Sequence, residues 1–255
     1  MEIIGKISKG TKMDQIYISK ERIPGFEIGR PVLIKPIQKF EIRPFYYQVN
    51  TLEPVKNLIL RELFNYLEHL DNVIITGSFL EKGFEFKDID IILITNEKLN
   101  LSDIKGHIKE EFGIEAHILS LSYKELLEGL STDPLFELML SQFVSKKRII
   151  FNKKKRIDYK LLDLHLLKSK TLIDSFEFLS GKEKYKLIRN LIAILLFLGN
   201  KKINYKSLNL EIEKQFGDDA IQKIKENRFD KRLFLKKYKS LYDKTFKNIM
   251  DKIEK

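Results

Sequence analysis

Cysteine and tryptophan are absent from the 255 residues, and proline occurs only six times. Without a thiol there is no disulfide framework, no thiolate zinc site and no cysteine nucleophile. Long apolar runs are missing too. The longest, Leu191 to Leu198, falls well short of the roughly 18 residues of a membrane-spanning helix and reads as a buried helix segment. Met1 to Lys6 lack the basic-then-apolar layout of a signal peptide. A soluble, cytoplasmic protein with no membrane partner is therefore the expectation. Charge is abundant, at 33% of residues beside 43% hydrophobic residues, a balance that marks a folded chain with a buried core.

The charge is unevenly placed. Residues 1–150 hold 20 Lys and Arg against 22 Asp and Glu, a net of −2, whereas residues 151–255 hold 27 against 14, a net of +13. Two readings fit: a polyanionic partner for the second half, or a lysine-rich solvated helical surface.

The pattern divides the chain into three parts. Residues 1–50 carry Pro24, Pro31, Pro36 and Pro44 between short β-like runs at Glu2–Ile7, Gln15–Ser19, Val32–Ile37 and Phe40–Tyr47, which predicts a small antiparallel β module. Residues 51–152 alternate helix and strand. Thr51 is the expected N-cap of a helix with Pro54 in its first turn and Val55, Leu58, Ile59, Leu63, Tyr66, Leu67 and Leu70 at helical spacing. Val73–Thr76, Ile89–Thr95 and Ile114–Leu119 read as strands, and Ser102–Phe112, Tyr123–Leu130 and Pro134–Ser145 as helices, with a last short β-run at Arg148–Phe151. Residues 153–255 contain no proline and no strand signal, and predict a basic helical bundle whose helices are punctuated by Gly181 and Gly199.

One stretch carries chemistry. A strand ends in Gly77-Ser78, nine residues follow, and Asp88-Ile89-Asp90 opens a second strand. Alternation puts Asp88 and Asp90 on one face, with Ile89 and Ile91 on the other. Two carboxylates so placed repel unless a cation offsets them, and hard oxygen donors suit Mg²⁺. A Gly-Ser turn after a strand suits a phosphate, because glycine admits close backbone approach and the N–H groups and hydroxyl can donate to its oxygens.

The pattern of an apolar strand, Gly-Ser, a nine-residue spacer and Asp-Ile-Asp resembles the signature of the DNA-polymerase-β-like nucleotidyltransferase superfamily, over about residues 55–152. The resemblance implies an α/β (α+β) nucleotidyltransferase core with a small mixed sheet at residues 51–152. The β module of residues 1–50 precedes it and the helical domain of residues 153–255 follows. It further implies that Gly77 and Ser78 hold a triphosphate, that Asp88 and Asp90 bind two Mg²⁺ ions, with Mn²⁺ as the alternative, and that a third acid lies on a following strand. Glu115 is the only carboxylate of Ile114–Leu119 and takes that role. His117 shares its face, and reads either as structural or solvated or as a group that binds substrate or steadies Glu115. The chain departs from the family where a base commonly follows Gly-Ser, having Phe79-Leu80-Glu81 there, and where Ser commonly precedes the first Asp, having Lys87. Lys82 and Lys87 are then the candidate phosphate contacts.

The expected activity is metal-dependent transfer of a nucleoside monophosphate from an NTP, ATP in the first instance, to a hydroxyl of an RNA, a protein or a small molecule. The alternative is a catalytically silent module of the same fold that binds nucleic acid or a partner protein. His69, His107 and His165 have no partner at metal-ligand spacing and are expected at the surface, and Lys153-Lys154-Lys155-Arg156 is expected as a solvated turn or a cleft rim.

Overall fold

The computed structural model describes residues 7–11, 15–16, 26–27, 29–32, 42–150 and 154–253. By contacts the chain divides into two compact units, residues 1–41 and 42–255. In the first, β1 (Ile7–Ser8) pairs antiparallel with β2 (Gln15–Ile16), Ile7 opposite Ile16. Most of the strands expected in this part, and the remainder of Val32–Ile37, lie outside the described residues.

The second unit is mixed α and β. Its elements run β3 (Phe45–Tyr47), α1 (Pro54–Tyr66), β4 (Asn72–Thr76), β5 (Asp88–Ile94), α2 (Leu101–Phe112), β6 (Glu115–Leu121), α3 (Tyr123–Thr132), α4 (Pro134–Met139), β7 (Phe143–Ser145), α5 (Tyr159–Asp174), α6 (Gly181–Leu198), α7 (Tyr205–Phe216), α8 (Ala220–Lys225) and α9 (Lys231–Ile253). Five strands form one sheet in the order β3-β7-β4-β5-β6. All neighbours are antiparallel except β5 and β6, whose connection through α2 is the crossover that a parallel pair requires. Among the described residues no helix is long and apolar enough to cross a membrane.

Two elements differ from the sequence expectation. The helix expected at Pro134–Ser145 stops at Met139, and Phe143–Ser145 is a fully buried strand between β3 and β4. The buried Thr76 hydroxyl donates to the carbonyls of Met139 and Gln142, 2.6 and 3.2 Å away, and so holds the chain where it leaves the helix. Phe45–Tyr47, expected within the first β module, pairs with β7 as an edge of the main sheet. Arg148–Ile150 form no strand, and Phe151 lies outside the described residues.

Three apolar clusters hold this unit. Leu60, Leu63 and Phe64 of α1, with Leu67 just after it, and Ile104 and Ile108 of α2 cover one sheet face, on Val73, Ile75, Ile89, Ile91 and Leu93. Leu126 and Leu130 of α3, with Leu140, cover Ile74, Ile92 and Ile94 on the other. The third cluster joins Leu162 and Leu166 of α5, Ile188, Leu191 and Ile192 of α6, Leu208 of α7, Ile224 of α8 and Phe234 and Tyr238 of α9, and includes Leu138 of α4. The helical part therefore shares an apolar core with the helix that leads into β7. In α1 the buried stripe differs from the expected one: Val55 and Leu58 are exposed, while Leu60, Phe64 and Lys56 are buried.

Local signals set the helix starts. Ser122 with Glu125 and Ser180 with Glu183 form capping boxes at α3 and α6. Asn100 caps α2, which ends at Gly113 in the left-handed region. Gly181, the first residue of α6, lies so close to α8 that a Cβ there would come 2.1 Å from the Lys225 carbonyl oxygen. A side chain at this position would drive the two helices apart.

The C-terminal end of α1 is capped from the sheet. The buried Lys146 ammonium donates to the carbonyls of Leu67, Glu68 and Leu70 at 3.2, 2.8 and 2.5 Å, groups that no intrahelical N–H reaches. Lys146→Met keeps the stem and strands the carbonyls of Glu68 and Leu70, while that of Leu67 keeps the Leu70 N–H at 3.2 Å. We expect a loss of about 2–4 kcal/mol, the cost typical of leaving buried partners unpaired, measured by urea denaturation. A loss under about 0.5 kcal/mol would mean that water satisfies these carbonyls equally well.

Candidate metal centre

Pairing of β4 with β5 sets Thr76 opposite Asp90. Immediately after Thr76 the chain turns out of the sheet at Gly77, with φ 81° and ψ −163°. A Cβ at Gly77 would lie 2.0 Å from Oδ2 of Asp90. Glycine is required there twice, for a backbone angle that L side chains rarely adopt and for the space the carboxylate fills. A single 3₁₀ turn, Ser78–Leu80, follows. Phe79 and Leu80 sink into the apolar layer under α1 and α2, while Ser78 stays exposed.

The spacer is tied down from α1. Lys56 is fully buried, and its ammonium donates to the carbonyls of Glu81 and Gly83 at 2.6 and 2.5 Å. Glu53 lies 3.1 Å from that ammonium, and its Oε1 accepts the Gly83 N–H at 2.6 Å. The rings of Phe79, Phe84 and Phe86 stand 5.3 to 5.7 Å from Nζ, within cation–π range. Glu53 directly precedes the helix, so the expected cap at Thr51 is not where α1 starts, and the Glu53 side chain serves the loop instead of the helix. The Gly83 N–H, its own backbone N–H and Lys56 together hold its carboxyl down to about 2.

Asp88 and Asp90 open β5 on the same face as Ile92 and Ile94, the face that α3 and Leu140 cover further along. The parallel register sets Asp88 beside Glu115 and Asp90 beside His117. Nδ1 of His117 lies 3.5 Å from Oδ1 of Asp90 and 3.7 Å from Oδ2 of Asp88. One ligand atom from each of Asp88, Asp90 and His117 can be chosen with all three within 4.8 Å of one another. Burial pushes the Asp90 carboxyl upward, the Asp88 charge adds to this, and His117 and Lys186 of α6 pull it back.

Of the residues expected in the site, Gly77, Asp88 and Asp90 are brought together, with Ser78 next to Gly77. Glu115 is not part of this cluster. Its carboxylate pairs with Lys109 of α2 at 2.5 Å, both side chains 64% exposed. His117 stands where the third acid was expected. Lys82 and Lys87 are both exposed.

The helical part contributes groups that sequence reading missed. Arg189 of α6 carries its guanidinium 5.8 Å from the Tyr205 ring of α7, and its Nε is buried without a hydrogen-bond partner. Burial pushes the Tyr205 hydroxyl up, Arg189 pulls it down, and Glu81 and Asp90 push it up again, so these groups share one neighbourhood. Lys56 and Glu53 were missed because an i, i+3 charge pair on a helix ordinarily marks a solvated face. Nothing in the sequence pairs α6 with β5.

Three further expectations change. His165 is buried, with Nε2 3.0 Å from Asp133, the residue that caps α4. His107 is only half-buried and stacks on Tyr66 at 3.8 Å, while His69 is exposed as expected. Lys155 donates to the Lys201 carbonyl at 2.6 Å and lies 5.2 Å from the Phe197 ring, so it is anchored to the bundle. Lys154 is exposed, Arg156 pairs with Glu128 at 2.8 Å, and Lys153 lies outside the described residues.

No protein-family model, no curated protein and no solved structure matches the chain.

The Glu53 contact has a pH signature. A folded-state pKa of about 2 against an ordinary 4.5 gives stability that is complete above 4.5 and lost as pH falls through 2. Glu53→Gln has no such ionisation. Its melting temperature is expected below that of the native protein at pH 7, with the gap closing between pH 4.5 and 2. A gap that stays constant through that window would show that the carboxylate does not hold Gly83.

Proposed function

We propose that the chain is a metal-dependent nucleotidyltransferase. The observation that carries this reading is the convergence of the two halves of the motif: Gly77 packs directly on the Asp90 carboxylate, with Asp88 and His117 completing a donor cluster. The donor set fits a divalent cation. Two carboxylates that repel each other are joined by an imidazole nitrogen, and the glycine leaves the room that Asp90 Oδ2 fills while Oδ1 lies 3.5 Å from that nitrogen.

In this reading the Gly77–Ser78 backbone and the Ser78 hydroxyl donate to phosphate oxygens. Lys186 and Arg189 of α6 offer positive charge on the side of Asp90 toward the helical part. Asp88, Asp90 and His117 would hold the divalent cation, which would supply charge neutralisation for the triphosphate. The acceptor hydroxyl attacks the α-phosphorus in line and pyrophosphate departs. The chain's own contribution is positioning and fixed charge, which dominate catalysis of phosphoryl transfer. ATP is the first nucleotide to test, and RNA, protein and small-molecule hydroxyls are the acceptor classes.

Incubation with each radiolabelled NTP and a divalent cation, with cellular RNA or lysate protein as acceptor, tests the reading and reveals both substrates. Asp88→Asn and Asp90→Asn are expected to abolish metal-dependent NTP binding and transfer. In metal-free buffer their melting temperatures should hold or rise, because one of two like charges is removed. A large drop there would make the aspartates structural and overturn the reading. Ser78→Ala removes one hydrogen bond to a charged group, about 1.5–3 kcal/mol, and should weaken NTP binding less than the aspartate changes do. Unchanged affinity would place the phosphate cradle elsewhere.

A further inference from the structure

The third donor of the cluster is a nitrogen, and this bears on which ion the site takes. Glu115 and His117 both lie on the face of β6 that carries on from Asp88 and Asp90, and the parallel register decides between them. Glu115, beside Asp88 at the first residue of the strand, turns to Lys109. His117, one alternation further in, puts Nδ1 within 3.7 Å of both aspartates. The Asp90 carboxylate is held against Gly77, where a side chain would displace it, so the pair of oxygens is presented to that nitrogen. No other His, Asp or Glu completes such a cluster among the described residues.

Mg²⁺ demands oxygen donors in near-ideal octahedral geometry and sheds its waters reluctantly. Imidazole suits the borderline transition ions, whose affinity for nitrogen donors rises from Mn²⁺ onward. We infer that Asp88, Asp90 and His117 form a two-carboxylate, one-imidazole site that selects a first-row divalent transition cation over Mg²⁺, with Mn²⁺, the hardest and weakest-binding of that series, serving as its paramagnetic probe. The inference rests on the proposed reading only in taking the cluster as the metal centre. It replaces the all-carboxylate Mg²⁺ site with one whose nitrogen donor discriminates between ions. Nδ1 faces the carboxylates and takes the metal, while the side chain, 69% exposed, leaves the other ring nitrogen toward solvent.

The test uses the full chain with Mn²⁺ alone, followed by electron paramagnetic resonance and by competition with Mg²⁺. In the native protein, bound Mn²⁺ should show electron spin-echo modulation from a directly coordinated ¹⁴N. That signal should vanish in His117→Asn, which should also bind Mn²⁺ more weakly, with a smaller loss for Mg²⁺. His117→Asp should lose the ¹⁴N signal yet keep a cation, with the preference for Mn²⁺ over Mg²⁺ reduced about tenfold. His117 is exposed, so His117→Asn should melt as the native protein does, whereas His117→Asp, which adds a third like charge, should melt lower in metal-free buffer and recover when the cation binds.

Mn²⁺ that depends on Asp90 but shows no ¹⁴N coupling overturns the inference. So does a preference unchanged in His117→Asp, or the absence of Mn²⁺ binding altogether. NTP binding, measured separately, tells the two proposals apart. Nitrogen-coordinated Mn²⁺ without NTP binding upholds this site and overturns the nucleotide reading. Metal-dependent NTP binding without nitrogen coupling does the reverse.

Discussion

The close approach of Gly77 to the Asp90 carboxylate is the constraint on which the candidate site depends. Antiparallel pairing puts Thr76 across from Asp90, so the next residue of β4 must leave the sheet beside a carboxylate. Only a residue without Cβ, at φ 81°, makes that turn. Once Asp90 is placed, strand alternation places Asp88, and the parallel neighbour places His117. Thr76 is held in turn by two carbonyls at the end of α4. The turn is thereby tied to β7 and to the helix whose Leu138 belongs to the helical core.

Charge is distributed around this turn with opposite signs on opposite sides. The aspartates on β5 repel each other, and burial raises the cost of charging Asp90. Behind the turn, under α1, a single ammonium is buried completely. Its cost is offset by two carbonyl acceptors, the Glu53 carboxylate and three aromatic faces. Lys56 therefore turns a nine-residue spacer into a fixed loop, because the carbonyls it binds belong to Glu81 and Gly83. Lys184 of α6 is buried by similar means, with its ammonium 2.9 Å from Asn227 and 4.2 Å from the Phe176 ring centre. Burial lowers its pKa, and with Gly181 it locks α6 to the segment that follows α8. That lock fixes the helix from which Lys186 acts on Asp90.

The sheet strands β4 and β5, α2, β6 and the five helices of the second half were legible because each is a run of apolar residues at one period, bounded by turn or cap residues. The Gly-Ser stretch by itself reads as an ordinary turn, and only Asp-Ile-Asp nine residues on, at the head of a second apolar run, sets it apart. Phe143–Ser145 was not. Three residues are too few to show a period, and they follow Pro134, Leu135 and Leu138, which carry a helical one. The buried lysines were illegible in principle. Lysine on a helix, as at Lys56, or at a strand end, as at Lys146, signals solvent, and only the approach of a distant loop at Gly83 or of the chain leaving α1 gives it buried partners. The same holds for α6, since no local signal states that Lys186 lies within electrostatic reach of Asp90.

The third donor shows where sequence periodicity stops informing chemistry. Alternation puts residues 115 and 117 on one face and cannot choose between them, and residue type alone favours the carboxylate. The Lys109 bridge does not decide it either. Both partners are exposed, and water screens such a pair, so the bridge does not fix Glu115 in place. Position decides. Residue 115 begins its strand and lies beside Asp88, the outer of the two aspartates, whereas residue 117 lies beside Asp90, the one packed on Gly77. Any donor at 117 meets both carboxylates, so the chemistry of the centre is set by the parallel register of β5 and β6 acting on a single side chain. In the proposed centre, a nitrogen at that point would make the ion preference a property of β6 and leave the Gly-Ser and Asp-Ile-Asp pattern unchanged.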